Sequence, residues 1–201
     1  MKRQSDRKVV PAADMIRQTA AFQLRMVDDV LALTRNVQRK LVLNLKVICL
    51  NEQVRTALQA VTDAALNRRI APALIDAPEP LWINADSDRM QQILRSVLLN
   101  ALRFTPAGGA VTISLTKEGD EGIVGVRDTG EGIAPAFLPF VFKVFRQQER
   151  GLRRTDPGLT IGLVFVRQLI EAHGGAASVT SGGVGRGAEV TLRWPLAARS
   201  K

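Results

Sequence analysis

Apolar residues recur at helical spacing in four segments of the chain. In residues 12–39 they fall at i, i+4, i+8, i+11 and i+15, which forms one stripe along an amphipathic helix. The residues of this stripe are Ile16, Ala20, Leu24, Val27 and Leu31. Because a single helix of this kind must bury its stripe, the pattern requires a second copy of the helix or a missing partner helix.

Three more helices are predicted after the first. One is capped by Asn51, one is capped by Asp86 and ends near Phe104, and one runs from about 159 to 172 before Gly174 and Gly175. The apolar residues that define the buried sides of the first two of these are Val54, Leu58, Val61, Ala65, Met90, Ile93, Leu94, Val97, Leu98 and Ala101.

Alternation of apolar and polar residues predicts the strands. It is clearest in residues 111–116, which a hairpin turn at 118–122 connects to a strand at 123–127. The other predicted strands lie at 41–50, 70–75, 81–84, 177–181 and 188–194. This mixed order of strands and helices predicts an α+β fold, a two-layer α/β sandwich rather than a doubly wound sheet.

Composition excludes several classes of protein. Hydrophobic residues make up 46% of the 201 residues, enough for a sizeable core, yet no stretch approaches the ~20 apolar residues of a membrane helix. The charged residues 1–8 do not start a signal peptide, and Cys49, the only cysteine, is typical of a reducing cytosol. We therefore expect a cytoplasmic protein without a membrane segment.

The net charge of +9 favours anionic partners, but the basic residues are scattered. Aromatic residues make up only 4% and tyrosine is absent, which argues against a base-stacking surface for nucleic acid. A solvated basic surface is the favoured interpretation of this charge. Nucleic-acid binding is a less favoured hypothesis for the function.

The turn at 128–132 is the first candidate for chemistry. Val124, Val126 and Asp128 share one strand face, so the Asp128 carboxylate points inward if that face is buried, and it then needs a donor such as an adenine amino group. Gly130 and Gly132 allow close backbone approach and positive φ. The alternative is an ordinary Asp-Thr-Gly turn with an Asx hydrogen bond, which is the commoner case for such a turn alone.

Two further groups are weaker candidates. Ser96, Asn100 and Arg103 share a helix face opposite the apolar stripe, where an amide oxygen and a cation suit a metal–phosphate group, although a solvated polar face is commoner. The helix start at 157–163 can offer N–H groups to phosphate, or it is a plain helix start. His173, the only histidine, is more readily structural than catalytic.

The order of these pieces resembles the catalytic domain of sensor histidine kinases, within the ATPase family shared with DNA gyrase, Hsp90 and mismatch-repair ATPases. Residues 92–105 resemble its asparagine box, 126–135 its first glycine box, Phe142 and Phe145 its phenylalanine box, and 158–163 its second glycine box. A histidine and two glycines follow, at 173–175. The motifs together are highly specific, and they cover roughly residues 41–196.

The resemblance implies a Bergerat-type ATP-binding fold, with a mixed sheet that carries its helices on one face, and ATP and Mg²⁺ as cofactors. Asp128 would recognise adenine, Asn100 would hold Mg²⁺, Arg103 would touch phosphate, and 140–158 would form a mobile lid. The implied nucleotide-binding residues are Asn100, Arg103, Asp128, Gly130, Gly132, Ile133, Phe142, Phe145, Arg146, Gly158, Leu159, Thr160, Gly162 and Leu163.

The resemblance also divides the chain into a basic tail at 1–11, a partial dimerisation helix at 12–40 and an ATP-binding domain at 41–201. Residues 25–33 resemble the end of the second helix of the dimerisation hairpin. The first helix, with its phosphorylated histidine, is not in the chain. We therefore expect a homodimer through 12–40, and as partners ATP and a response regulator or a histidine-bearing kinase segment.

Four positions depart from the family pattern. Ser96 replaces an asparagine or a catalytic glutamate, and a hydroxyl is a poor general base. Thr160 replaces a central glycine, Lys143 replaces an acidic residue, and Glu189 or Ala188 falls where a small hydroxyl residue is usual. Ser96 and Thr160 motivate a second hypothesis, a degenerate, non-catalytic module that dimerises and docks a response regulator, with weak or no nucleotide binding.

Overall fold

The structure is a computed structural model, and it describes residues 42–143 and 160–197. The predicted basic tail and the predicted helix at 12–39 lie outside the described residues. So do Phe145, Arg146, Gly158 and Leu159 and most of the predicted lid.

The described residues form four α-helices: α1 (Leu50–Ala60), α2 (Thr62–Asn67), α3 (Ser87–Phe104) and α4 (Thr160–Ala172), with a single 3-10 turn at Leu138–Phe140. The long helix α3 begins where the sequence predicts. The Asp86 carboxylate accepts hydrogen bonds from the backbone N–H groups of Asp88 and Arg89, which otherwise lack partners in a first turn.

Two sheets accompany these helices. The smaller pairs β1 (Lys46–Cys49) with β3 (Trp82–Ala85) in antiparallel register. The strands of the larger sheet are β2 (Ala73–Ile75), β4 (Val111–Glu118), β5 (Glu121–Asp128), β6 (Ala176–Thr180) and β7 (Ala188–Pro195). Their order is β2-β4-β5-β7-β6, in which β2 runs parallel to β4 and the other neighbours are antiparallel. The predicted α+β class with a mixed sheet is confirmed.

The core lies between one face of the larger sheet and the helices. The alternation in β4 buries Val111, Ile113 and Leu115, whereas Thr112 and Ser114 face the other side. The buried residues of β7 are Val190, Leu192 and Trp194. The larger sheet thus presents an apolar face to the helices and a mainly polar face away from them, which is the two-layer arrangement that the alternation predicts.

Three local predictions were wrong. The first strand spans only four residues, 46–49, and the hairpin turn comprises only Gly119 and Asp120, because both strands extend further into it than alternation indicates. The helix predicted after Asn51 is interrupted at Val61, where two successive β-branched residues, Val61 and Thr62, disfavour helical continuation.

Asn51 is also not a helix cap. It lies within the first turn of α1 and is buried. Its side-chain amide donates to Asp76 Oδ1 at 2.8 Å, and its Oδ1 accepts the Leu81 N–H at 2.9 Å. Its function is therefore to satisfy the loop between β2 and β3, a contact that the local sequence does not reveal.

Candidate functional site

Asp128 ends β5 on the inner face of the sheet. Val124 and Val126 on the same face are fully buried, so the alternation places the Asp128 carboxyl next to the core. Its Oδ1 accepts the N–H of Gly130 at 2.8 Å and that of Ala188 at 3.3 Å. Burial raises the pKa of the carboxyl, although these two N–H groups act in the opposite direction.

The two carboxylate oxygens of Asp128 have different surroundings. The hydrogen bond from the Gly130 N–H is the Asx bond of an ordinary Asp-Thr-Gly turn, so the structure contains the turn that the alternative interpretation predicts. This bond uses only Oδ1. Oδ2 has no hydrogen-bond partner among the described residues, so a half-buried acceptor is left for a donor that the turn does not supply.

The turn at 128–133 is joined to the loop that precedes β7. The Gly185 N–H donates to the Glu131 carbonyl at 2.7 Å, and the Gly187 N–H donates to the Gly130 carbonyl at 3.1 Å. Ser181 completes the junction, because its Oγ accepts the Ile133 N–H at 3.0 Å. The loop thus fixes the position of the turn.

The glycines of the turn are required by this packing. Gly132 has φ +67°, and a Cβ there would overlap the Gly183 carbonyl oxygen. Gly130 does not have positive φ, and a Cβ on it would overlap the Phe104 carbonyl oxygen at the end of α3. The predicted positive φ is therefore confirmed at Gly132 and wrong at Gly130, and the close approach that the structure shows at each glycine is to protein backbone.

The polar residues of α3 lie beside its apolar stripe rather than opposite it. Ser96, Asn100 and Arg103 are half-buried, whereas Leu99 is exposed. Ser96 Oγ contacts the carbonyl oxygen of Gly162 in α4 at 3.5 Å, so this edge of α3 faces the next helix. A solvated polar face is thereby excluded for this group.

Asn100 has the feature expected of a ligand-binding amide. Its Oδ1 is buried and has no hydrogen-bond partner among the described residues. Asparagine oxygen suits Mg²⁺, which keeps several waters and takes few protein ligands. The described residues contain no cluster of three or more His, Cys, Asp or Glu that could hold a metal. The chemistry of Asn100 thus fits the predicted contact with Mg²⁺.

The structure also describes the surroundings of four other predicted residues. Arg103 lies over the Phe104 ring at 5.7 Å, and its carbonyl accepts a hydrogen bond from Arg68. Leu163 of α4 is buried, and Arg167 of the same helix lies 5.5 Å from the centroid of the half-buried Phe142 ring. Ile133, also half-buried, packs against the core.

The structure resolves the choice between Ala188 and Glu189. Ala188 is the register partner of Asp128 and shares its face, whereas Glu189 lies on the outer face and pairs with Arg127 at 2.7 Å. Lys143 is exposed, and its Nζ lies 5.0 Å from the Phe140 ring centroid. Of these two residues, Ala188, which has no hydroxyl, is therefore the one that shares the sheet face of Asp128.

One contributor, Ser181, escaped the sequence interpretation. It links the turn to its loop, and its position just before Gly182 and Gly183 is the only local signal that could have indicated this. His173 directly follows the last residue of α4 and is structural, as predicted, and it is also buried. Its Nδ1 lies 2.6 Å from the Leu169 carbonyl oxygen, and its Nε2 accepts the Asp86 N–H at 3.2 Å. Both ring nitrogens are thus engaged within the fold.

The fold and the order of the motifs match one family of ATPase domains. The model of the family described as "Histidine kinase-, DNA gyrase B-, and HSP90-like ATPase" matches residues 85–198, more than half of the chain. The chain belongs to this family, and its relatives narrow the assignment to the ATP-binding domain of sensor histidine kinases.

Several histidine kinases are similar to the chain. Hybrid signal transduction histidine kinase D of Dictyostelium discoideum is 30% identical over 190 residues, 91% of this chain and 12% of that protein. Circadian input-output histidine kinase CikA of Synechococcus elongatus is 35% identical over 147 residues, 73% of this chain and 18% of that protein. The chain thus spans less than a fifth of the length of these two relatives.

Among solved structures, full-length ShkA in complex with AMPPNP aligns with a TM-score of 0.78 at 29% identity, over 97% of this chain and 40% of that one. Histidine kinase ThkA in complex with response regulator TrrA aligns with a TM-score of 0.72 at 17% identity, over 100% of this chain and 54% of that one, which shows the fold alone. Within residues 42–143 and 160–197, no helix has the length and apolarity to cross a membrane.

Proposed function

We propose that the chain binds Mg·ATP and supplies the catalytic domain of a two-component sensor histidine kinase, which transfers the γ-phosphoryl group to a histidine. The observation that carries this proposal is the divided use of the Asp128 carboxyl. The turn and β7 occupy Oδ1, and the half-buried Oδ2 is left as an acceptor for the amino group of adenine. The AMPPNP bound to ShkA supports the choice of nucleotide.

Each end of the nucleotide has its own protein groups in this proposal. Asp128 orients adenine, and Asn100 offers its unpartnered Oδ1 to Mg²⁺, which neutralises phosphate charge when bound. Arg103 lies on the same helix edge and reaches phosphate oxygens. The N–H groups in the first turn of α4 add the positive end of a helix dipole. The contribution to catalysis is positioning and charge neutralisation.

The phosphorylated histidine must come from outside the described fold. His173 is the only histidine of the sequence, and both of its ring nitrogens are engaged in hydrogen bonds within a buried site. It has no nitrogen free to attack phosphorus. The acceptor is therefore a histidine on another segment or chain, and a response regulator is the expected partner of such a kinase. Residues 12–40 are the proposed dimerisation element.

Calorimetry tests the proposal directly. We expect the full chain to bind AMPPNP with micromolar to submillimolar affinity in the presence of Mg²⁺ and more weakly when Mg²⁺ is removed by chelation. Heat of binding should be absent with GTP analogues, because guanine presents a carbonyl oxygen rather than an amino group to Asp128. Absence of binding at millimolar AMPPNP would refute the proposal.

The second hypothesis, a degenerate docking module, depends on Thr160 and Ser96. Thr160 is the first residue of α4, where the backbone has the negative φ that a β-branched residue tolerates. Under the kinase proposal, Thr160→Gly should therefore change AMPPNP affinity by less than about threefold, which corresponds to about 0.7 kcal/mol. Calorimetry of the wild type and of Thr160→Gly decides between the two hypotheses. Binding of AMPPNP that appears only in the variant would favour the degenerate module.

A further inference from the structure

Asp86 joins three parts of the fold. It follows β3 and caps α3 through Oδ1, which accepts the N–H groups of Asp88 at 3.1 Å and Arg89 at 3.2 Å. Its Oδ2 accepts the backbone N–H of Asn44 at 2.9 Å. Asn44 belongs to residues 42–45, the segment through which the chain enters the domain before β1, here named the incoming segment.

The backbone of Asp86 makes a second connection. Its N–H donates to His173 Nε2 at 3.2 Å, and His173 Nδ1 lies 2.6 Å from the Leu169 carbonyl oxygen near the end of α4. This pattern requires a neutral ring with its proton on Nδ1. The start of α3, the end of α4 and the incoming segment thus meet at one residue.

The same two helices carry the proposed nucleotide site at their other ends. Asn100 lies 14 residues along α3 from Asp86, about 21 Å at the helical rise. Ser96 contacts Gly162 in the first turn of α4, so the helices are in contact near the site as well as at Asp86. A displacement of the helix pair at Asp86 therefore moves both motif-bearing segments together.

The residue type is informative. Serine or asparagine caps a helix about as well as aspartate does, so the cap alone does not require a carboxylate. Only a carboxylate offers two acceptor oxygens and can cap the helix and hold Asn44 at the same time. Burial disfavours the charged carboxyl, but the N–H groups of Asn44, Arg89 and Asp88 outweigh it and hold the pKa of Asp86 below its usual range.

The geometry points to Asp86 as a positioning residue that couples the incoming segment to α3 and α4, so that the placement of this segment and nucleotide occupancy influence each other. The part of this inference that concerns nucleotide occupancy rests on the proposed function. Coupling free energies are reciprocal: if the incoming segment biases the site, bound nucleotide must alter the protection of the Asn44 amide by the same factor.

Two substitutions break the contact from opposite sides. Asp86→Asn keeps an oxygen for the cap but places an amide donor against the Asn44 N–H, and Asn44→Pro removes that N–H without touching α3. Asp88→Asn is the matched control. It removes the same charge from the first turn of α3, and the Asp88 side chain has no hydrogen bond to another described residue.

Hydrogen exchange on the full chain, with and without Mg·AMPPNP, gives the readout. In the wild type we expect slow exchange of the Asn44 amide, further slowed by nucleotide. In Asp86→Asn the Asn44 amide should exchange about tenfold faster without nucleotide, because one charge-assisted hydrogen bond is lost. Its exchange should also no longer respond to nucleotide. Asn44→Pro should lower AMPPNP affinity by the same factor as Asp86→Asn, and the double variant by no more than either alone.

Equal exchange in Asp86→Asn and Asp88→Asn, or additive losses of affinity in the double variant, would overturn the inference. A merely structural role of Asp86 would weaken the cap without removing the nucleotide response. Failure of the wild type to bind AMPPNP would refute the proposed function, and with it the part of the inference that concerns nucleotide occupancy. Hydrogen exchange without nucleotide would then still test whether Asp86 positions the incoming segment. Asp86→Asn must accelerate exchange of the Asn44 amide, and Asp88→Asn must not.

Discussion

Replacing Asp128 with Asn is expected to weaken AMPPNP binding about 100-fold while the stability of the fold is kept or slightly raised. The amide oxygen of Asn can still accept the N–H groups of Gly130 and Ala188, so the turn persists. The amide nitrogen then replaces Oδ2 and opposes the amino group of adenine, donor against donor. An unmade hydrogen bond to a charged group costs about 2–3 kcal/mol, which corresponds to this loss of affinity.

The stability side of this prediction follows from the pKa. Burial raises the pKa of the Asp128 carboxyl in the folded state above its value in the unfolded chain. The unfolded state therefore holds the ionised form more readily, and Asp128 costs stability as the pH rises through its folded pKa. Asn carries no charge, so this loss between acid and neutral pH should be smaller in the variant.

Calorimetry and urea unfolding at pH 4.5 and 7.5 check both parts. Asp120→Asn is a suitable control, because Asp120 lies in the hairpin turn at the opposite end of β5 and is exposed. It should leave AMPPNP affinity unchanged. Unchanged affinity in Asp128→Asn would contradict the role of the carboxyl, and a large loss of stability in that variant would mean that the charge itself holds the turn.

The second large effect is expected at Gly132. Gly132→Ala should destabilise the fold by about 2–5 kcal/mol, because two costs add. An L-residue at φ +67° loses about 1–2 kcal/mol, and the Cβ must displace the Gly183 carbonyl oxygen, an overpacking cost of about 1–3 kcal/mol. AMPPNP affinity should fall too, because the same displacement separates the turn at 128–133 from its supporting loop.

Gly108 provides the matched control for Gly132. Its φ is +81°, also positive, but a Cβ there would meet no atom within 4 Å. Gly108→Ala should therefore cost only the conformational part, about 1–2 kcal/mol. Urea denaturation of both variants separates the two costs. Equal destabilisation would show that the contact with Gly183 relaxes freely and that the loop does not fix the turn.

Much of the fold could be predicted because its signals are local. The alternation in β4, the Asp86 cap and the stripe of α3 each depend on residues that are near one another in sequence, and each was confirmed. The interruption at Val61 was missed because helical periodicity continues across it. Whether the helix continues through Val61 depends on the balance between weak helix propensity and packing. A pattern of apolar positions does not measure this balance.

The candidate site could be predicted only in its residue types. Motif order indicated Asp128 and Asn100, and the structure adds that Oδ2 of the first and Oδ1 of the second have no partner among the described residues. Whether Ala188 or Glu189 shares the sheet face of Asp128 could not be read from the sequence. It depends on the register between β5 and β7, and a shift of one residue would exchange them.

The sequence by itself determined the periodicities, the α+β class and the family, because these follow from local patterns and from the order of motifs. Only the tertiary structure decided why Gly130 and Gly132 are glycines, which oxygen of Asp128 is available, and that Asp86 and His173 meet. The physical reason is the same in each case. These properties arise from contacts between segments far apart in the chain, and steric overlap and hydrogen-bond satisfaction are defined only once those segments are packed together.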